Sequence, residues 1–423
     1  MATLFPSRAF RRTKERASGL LFSFGGDDLS TVLTTGQTLS LTRATDRTVF
    51  DSAGRLAHVG YGCPAWSSVY NAEAGIWEPT LDIQNQSTNL VLRSEDFSAG
   101  WSSVGTPTRT SAAATCGDLV LDLLGDDAGG TLEGFTRSVS LTGNTQKGVS
   151  VFMKAGTSTT TVVRLRDTTA SVTRCQMTIA WSGGVPTVTA TTGTDAGTLA
   201  CYNGVYRFRF QSNSCTAANA HNIEIYPATN ASLATTQTGT VYVGGVQVED
   251  FGTPTAYIKT LGSTVTRNKD FYNPTIAFVP QDLTVYGRVV NYVGTNGAFF
   301  YLGNGGAGTL NVRNLSGNLQ VEVTGSGNVS ASRTMPTTSV LEFCAQLGQV
   351  DSAPRVRIDS GNGAGFTAWS STTSVFTSWS VPTLYIGSGS TVANDTSAIN
   401  SGIRRLVIAP GARTLAEMQG LAV

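Results

Sequence analysis

Apolar and polar residues alternate along most of this chain in short runs, each bounded by Gly, Ser, Thr or Asn. Val149–Met153 (VSVFM), Thr161–Leu165 (TVVRL), Met177–Trp181, Val205–Phe210 (VYRFRF), Asn222–Tyr226 (NIEIY) and Val241–Val248 (VYVGGVQV) all read with a period of two. That period sends successive side chains to opposite faces of a sheet, so each run predicts a strand with one buried face. A second series covers Leu283–Val290 (LTVYGRVV), Phe299–Leu302, Leu319–Val323, Leu341–Gln346, Arg355–Ile358, Thr383–Ile386 and Ile403–Ile408. Between the two series the chain turns polar and charged and ends at Pro274. The pattern predicts an all-β fold of two tandem β-sandwiches, 87–268 and 275–423, joined by a linker at 269–274. Helix signal is confined to Pro410–Leu421 (PGARTLAEMQGL), where Thr414 and Glu417 have the spacing of a capping box.

Ahead of the first sandwich, 21–86 reads as a β lead segment. Leu39–Thr42 predicts a short strand, and Val49-Phe50 runs into Asp51-Ser52-Ala53-Gly54, residues that suit a tight turn. Residues 1–20 differ in character. Arg8, Arg11, Arg12, Lys14 and Arg16 cluster against Glu15 alone, with Leu4, Phe5 and Phe10 as sparse apolar anchors. Such a terminus is a loose tail unless something ties it down. The functional alternative is an arm that docks on an acidic surface of a larger assembly, and these eight residues are then the attachment set.

Composition narrows the function classes. The chain has 423 residues with a net charge of +1, so nothing electrostatic argues for binding nucleic acid. Charged residues make up only 13%, and 47 glycines accompany many Thr, Ser and Val, which favours strands over helices. The six cysteines (Cys63, Cys116, Cys175, Cys201, Cys215, Cys344) contain no CxxC pair. Buried free thiols are therefore expected rather than a zinc site or a disulfide framework, in keeping with assembly in a reducing cytosol. No apolar run is long enough to span a bilayer, and the basic N-terminus lacks the apolar core of a secretory signal. Neither membrane insertion nor signal-directed export is expected, leaving release to a route such as lysis.

Catalytic chemistry finds little support. Sugar hydrolysis needs two facing acids, whereas Asp27-Asp28, Glu95-Asp96, Asp126-Asp127 and Glu249-Asp250 are sequence neighbours that a strand points apart. His58 and His221 are the two histidines, and neither accompanies a nucleophile motif. No phosphate-cradling or dinucleotide fingerprint follows any strand. No catalytic residue and no cofactor is expected. Trp181, Trp369 and Trp379 are the candidates for stacking on sugar rings, with core packing the plainer reading.

Resemblance enters with two phrases. Asn89–Trp101 reads NLVLRSEDFSAGW, and the chain later closes on Val241–Val248, Glu249-Asp250, Pro254-Thr255-Ala256-Tyr257-Ile258 and GSTVTR at Gly262–Arg267. This pair resembles the opening and closing of the jelly-roll module of bacteriophage head-spike and tail-fibre proteins, relatives of carbohydrate-binding modules. TRATDRTVFDSAGRL, before the jelly roll, and Asn203-Gly204-Val205-Tyr206-Arg207 resemble the same family, with Val205 where it usually has Trp. Gly402–Leu406 and the capped helix resemble the concanavalin-A-like (laminin-G-like) sandwiches of phage fibres. Related modules often hold a structural calcium, for which Glu95 and Asp96 would be the candidate ligands. The family's last strand often carries Asp-Asp where this chain has Gly244-Gly245, so calcium is not expected. The resemblance implies a non-enzymatic head fibre, head spike or decoration protein of a tailed-phage virion, made in the bacterial host cytoplasm. Its implied partners are capsid, portal or tail proteins and further copies of itself, as a homotrimer or homodimer. The alternative is a receptor-binding tail-fibre lectin that grips host cell-surface glycans.

Overall fold

The period-two runs form strands, and the strands assemble into antiparallel sheets. The computed structural model describes residues 20–23, 41–42, 45–60, 66–71, 75–234, 237–272, 282–290, 296–303, 309–324, 329–335, 340–350, 353–361, 365–371, 383–386, 401–410 and 413–421. Leu4, Phe5, Arg8, Phe10, Arg11, Arg12, Lys14 and Arg16 lie outside the described residues, as do Asp27, Asp28, Cys63 and Trp379. The fold is all-β, built as two sandwiches.

One unit comprises Thr45–Tyr61 and Gln86–Asn268. Its first sheet has the order Thr194–Ala200, Val205–Gln211, Gly148–Ala155, Gly239–Glu249, Leu119–Asp126, Thr108–Cys116. The second runs Val185–Thr192, Val172–Ser182, Thr160–Asp167, His221–Tyr226, Gly134–Val139, Ser102–Val104. Alternation gives each sheet one apolar face. Val151, Met153, Phe208, Phe210, Val243 and Val248 from the first sheet meet Val163, Leu165, Met177, Ile179, Ile223 and Ile225 from the second in one core. The outer face of the first sheet is apolar as well, with Leu119, Leu121, Phe152 and Val205 buried there under Leu56 and Tyr257. Leu56 comes from the hairpin Arg47–Phe50/Leu56–Val59, whose turn is fixed by Asp51 Oδ1 accepting from Ala53 N and Arg55 N.

The other unit comprises Met1–Ala44, Gly62–Asn85 and Lys269–Val423. Its larger sheet has the order Ser370–Ser371, Ala353–Asp359, Val340–Val350, Leu283–Val290, Ser401–Pro410, Ile76–Ile83, Trp66–Asn71, and Leu20–Ser23 also pairs with Ser401–Pro410. The smaller runs Leu41–Thr42, Phe271–Tyr272, Thr383–Ile386, Asn296–Gly303, Thr309–Leu315, Asn318–Thr324, Val329–Thr334. Val285, Phe343, Ile358 and Leu406 of the larger sheet share a core with Phe300, Val312 and Val321 of the smaller. On the larger sheet's other face, Met418 of the helix Leu415–Leu421 covers Tyr286, Cys344 and Val407. Thr414 N donates to Glu417 Oε2 (2.6 Å) and Glu417 N to Thr414 Oγ1 (3.2 Å), which is the reciprocal capping box the sequence predicts.

Two expected boundaries change. The 21–86 stretch is not a separate lead segment: 45–61 belongs with the first sandwich, and Trp66–Asn71 and Ile76–Ile83 extend a sheet of the second. Leu81 and Ile83 are fully buried, and a hairpin alone could not shield them, so they join the core that Ser401–Pro410 helps to build. Nor is 269–274 simply a linker. Phe271–Tyr272 is a strand of the smaller sheet, paired with Leu41–Thr42 and, through Tyr272, with Ile386.

Candidate functional site

The opening and closing phrases of the first sandwich meet. Ser87–Asn89 pairs antiparallel with Val265–Arg267, placing Asn89 opposite Val265 and Ser87 opposite Arg267. Asn89 is fully buried. Its Nδ2 donates to Val246 O (3.2 Å) and Ile258 O (2.8 Å), and its Oδ1 accepts from Val91 N (3.1 Å) and Val248 N (3.3 Å). One amide thereby satisfies four backbone groups that no ladder reaches, using both its donors and its acceptor.

Ser94 and Glu95 extend this clasp. Ser94 Oγ and the Tyr257 hydroxyl lie 2.6 Å apart, and that hydroxyl donates to Glu95 Oε1 (2.9 Å). Glu95 Oε2 accepts from Lys259 Nζ (2.7 Å) and Val120 N (3.4 Å). Burial, with the Glu95 charge adding, holds the Tyr257 phenol well above its ordinary pKa, so it stays protonated and donates. Asp96 accepts from Ser98 Oγ (2.5 Å), Ser98 N (2.8 Å), Arg109 (3.2 Å) and Arg93 (3.3 Å). The Ser98 bonds first, and the two arginines after them, hold its carboxyl below the usual range.

Glu95 and Asp96, the calcium candidates, are thus each engaged by a different set of donors. Further carboxylates have no room at Gly244-Gly245. A Cβ on Gly244 would lie 2.3 Å from Val120 O, and one on Gly245 (φ +59°) 2.6 Å from the Phe152 ring. Among the described residues no group of three or more His, Cys, Asp or Glu could hold a metal ion.

Behind the clasp lies a layer of buried charge. Glu249 accepts from Ser87 Oγ, Thr255 N (2.7 Å) and Thr255 Oγ1 (2.5 Å). Arg267 donates to Ala256 O and Thr255 Oγ1, both at 3.0 Å. Arg207 donates to Ser150 Oγ (3.0 Å) and Thr255 O (2.6 Å). Burial pulls Arg207 down to about 10, Arg209 acting in the same sense and Glu249 against it. The last residue of Asn203–Arg207 therefore holds the Pro254–Ile258 phrase onto the sheet.

The remaining candidates are dispersed. Trp181 is buried in the core, edge-on to Phe208 at 5.9 Å, with Nε1 donating to Thr161 Oγ1 (3.2 Å). Trp369 is half-buried, and the guanidiniums of Arg355 and Arg357 lie 4.4 and 4.5 Å from its ring centroid. His58 Nε2 faces Asp46 Oδ2 at 3.2 Å, and His221 is buried with Nδ1 3.0 Å from Asn219 O. The five described cysteines are unpaired, and burial pushes the Cys175 and Cys344 thiols up to about 12.

One acid pair arises that sequence adjacency did not suggest. The turn at Gly129-Gly130 returns Glu133 to Asp126, whose Oδ2 accepts from Glu133 N (3.3 Å), while among the described residues Oδ1 is buried with no hydrogen-bond partner in reach. Burial raises the Asp126 carboxyl to about 6, and the Glu133 charge adds to this. Glu133 meets the same burial, but Thr106 Oγ1, Asp127 N and Thr106 N bind it and hold it below its ordinary value. Both carboxyls are enclosed, at 2% and 0% exposure, and neither faces solvent where a polymer could reach it. Glu133 and the fully buried Lys147, which donates to Asp250 (2.7 Å), escaped the sequence reading. Their available signal was the rarity of charge in this chain: a lone charge beside an apolar run marks a structural partner.

No protein-family model and no curated protein matches the chain. Among solved structures it is similar to domains LG4-5 of the mouse laminin alpha1 chain, at 9% identity and a TM-score of 0.22, over 65% of this chain and 84% of that one. It is also similar to the LG1-3 region of the laminin alpha2 chain, at 11% identity and a TM-score of 0.26, over 68% of this chain and 66% of that one. Likeness at this level carries no functional reading, and the sandwich architecture stands on the strand order itself.

Proposed function

We propose that this chain is a non-enzymatic structural protein of a tailed-phage virion, a head fibre, head spike or decoration protein that is attached through its N-terminal region and displays β-sandwiches outward. One observation carries the reading. The phrases that resemble the phage module are the ones that close the sandwich, with Asn89, Glu95, Tyr257, Glu249 and Arg267 bonded to one another's segments. Their chemistry is spent on architecture, as suits a display protein, whereas a catalyst keeps reactive groups open to substrate. The basic arm, 1–20, supplies the attachment surface, and Leu4, Phe5 and Phe10 would each contribute on the order of 1.5–3 kcal/mol if fully buried on docking. Ordering such an arm costs conformational entropy, so several copies per particle are needed for a durable hold.

The test is incorporation. The protein should co-purify with particles, and antibody-labelled micrographs should place it on the head. Deleting residues 2–20 should leave a folded protein that no longer joins particles. Absence from purified particles overturns the proposal, and label on the tail replaces it with the fibre reading. Incorporation of the truncated chain at wild-type copy number moves the anchor elsewhere.

A further inference from the structure

Arg355 and Arg357 stand two apart on the strand Ala353–Asp359, so both project from one face of the larger sheet. Val356 and Ile358 take the other face and enter the core, which leaves the arginines on the side that carries the helix. Phe366 and Trp369 come from the segment 365–371, which is pinned to the strand. Thr367 N donates to Ile358 O (2.9 Å), Ile358 N to Thr367 Oγ1 (3.1 Å) and Ser370 Oγ to Val356 O (3.0 Å). Gly348, opposite Arg355, clears the floor beneath the indole: a Cβ there would lie 3.2 Å from Trp369 and 3.4 Å from Arg355 Nε. The Arg355 guanidinium sits 4.4 Å from the Trp369 ring centroid. That of Arg357 sits 4.5 Å from the same centroid and 4.6 Å from the centroid of Phe366.

Among the described residues these two cations have no acid within ion-pair distance. In the same unit Arg288, Arg313 and Arg404 each meet a glutamate carboxylate. Asp359, the next residue on that face, accepts from Gly361 N instead (2.9 Å). Arg357 donates through Nε to Gln346 Oε1 (2.5 Å), while Arg355 makes no hydrogen bond among the described residues. The terminal nitrogens of both remain open to solvent. A guanidinium over a ring face lends the ring its charge and keeps its N–H donors free. The two charges also oppose each other: burial first, then the Arg355 charge, holds Arg357 below its ordinary pKa.

We propose that Arg355 and Arg357, seated on Trp369 and Phe366, form a binding site for an oxyanion, a phosphate or carboxylate group that accepts hydrogen bonds from both guanidiniums. Three features of the cluster suit that ligand. Each guanidinium presents a planar fork of donors that matches an oxyanion edge. The aromatic rings and the pinned segment hold the forks in place, so little side-chain freedom is lost when the anion arrives. The anion also supplies the charge that the sheet face lacks, and it relieves the repulsion between the two arginines. One site of this kind, open to water, should bind a single oxyanion at about millimolar concentration, and a polymer repeating the group would be held through several copies. This inference does not rest on the virion reading.

The test uses the full chain at one ionic strength, balanced with chloride so that general screening is constant. Inorganic phosphate is followed by its phosphorus line width, and galacturonate by saturation transfer, with galactose as the neutral counterpart. Saturable millimolar binding of either anion, without matching binding of galactose, is the expected result, and which anion binds identifies the group. Arg355→Gln with Arg357→Gln should weaken that binding by about tenfold or more. Lys154→Gln with Arg166→Gln removes the same charge from the other sandwich and should leave it unchanged. Arg355→Lys with Arg357→Lys keeps both charges but gives up the forks, and should weaken binding severalfold in a folded protein. That variant keeps the test decisive should the glutamine pair misfold. Absence of saturable binding by both anions overturns the proposal. So does binding that survives the glutamine and lysine pairs, or galactose binding as strong as that of galacturonate.

Discussion

Burial raises the Asp126 carboxyl from 3.8 to about 6, so at neutral pH the fold holds a charge it would rather protonate. The folded value lies above that of the unfolded chain, and the fold therefore binds this proton more tightly. Its contribution to stability is full below about pH 4 and is lost as pH rises through about 6. Asp126→Asn removes that loss. Urea melts should show a gain on the order of 2–3 kcal/mol at pH 8 and almost none at pH 4. An equal effect at both values would refute the charge argument. Asn89 tests the clasp in the opposite direction. Asn89→Asp keeps the shape but turns two donors into acceptors facing Val246 O and Ile258 O. It should cost at least about 3 kcal/mol, no less than Asn89→Ala does, since an unsatisfied buried group costs about 1–3 kcal/mol. Thermal melts of both variants check the order. Asn89 was legible as the start of the opening phrase, yet its partners lie on segments far along the chain, and no local pattern names them.

At the scale of the strand, Gly244-Gly245 has a structural cause. The strand Gly239–Glu249 shifts register against Gly148–Ala155 there, and Gly245 takes a left-handed φ of +59° that most side chains resist. Placing carboxylates there as Gly244→Asp with Gly245→Asp should lower the melting temperature by well over about 5 °C, and added calcium should not recover it. Recovery by calcium would show that the site can form after all. The strands that period-two alternation named are buried on one or both faces, Val205–Gln211 and Gly148–Ala155 among them. Thr108–Cys116, Val185–Thr192 and Thr194–Ala200 escaped because they are largely exposed at the edges and rich in Thr and Ala. With neither face deeply buried, such strands leave no alternating signature. The short helix was legible because its signal is local: a capping box needs only Thr414 and Glu417.

For the whole molecule, the candidate sugar platforms give a clear expectation. Trp181 is enclosed, and the Trp369 ring already has two guanidiniums against it. Any glycan contact by a single copy should be millimolar, roughly −4 kcal/mol, so that only many copies together would grip a cell. A glycan array followed by titration checks this, and micromolar binding by one copy would revive the lectin reading. Fold class and both sandwiches were legible from periodicity. The division of 21–86 was not, because Leu81 opposite Ile403 is a pairing that sequence spacing cannot reveal. That pairing has a consequence for how the protein is made. A ribosome delivers Ile76–Ile83 well before Ser401–Pro410, with nearly the whole first sandwich synthesised between them. The nascent chain must carry Leu81 and Ile83 uncovered throughout that interval, so stalled or truncated products would be prime substrates for chaperones and proteases, however sound their first sandwich.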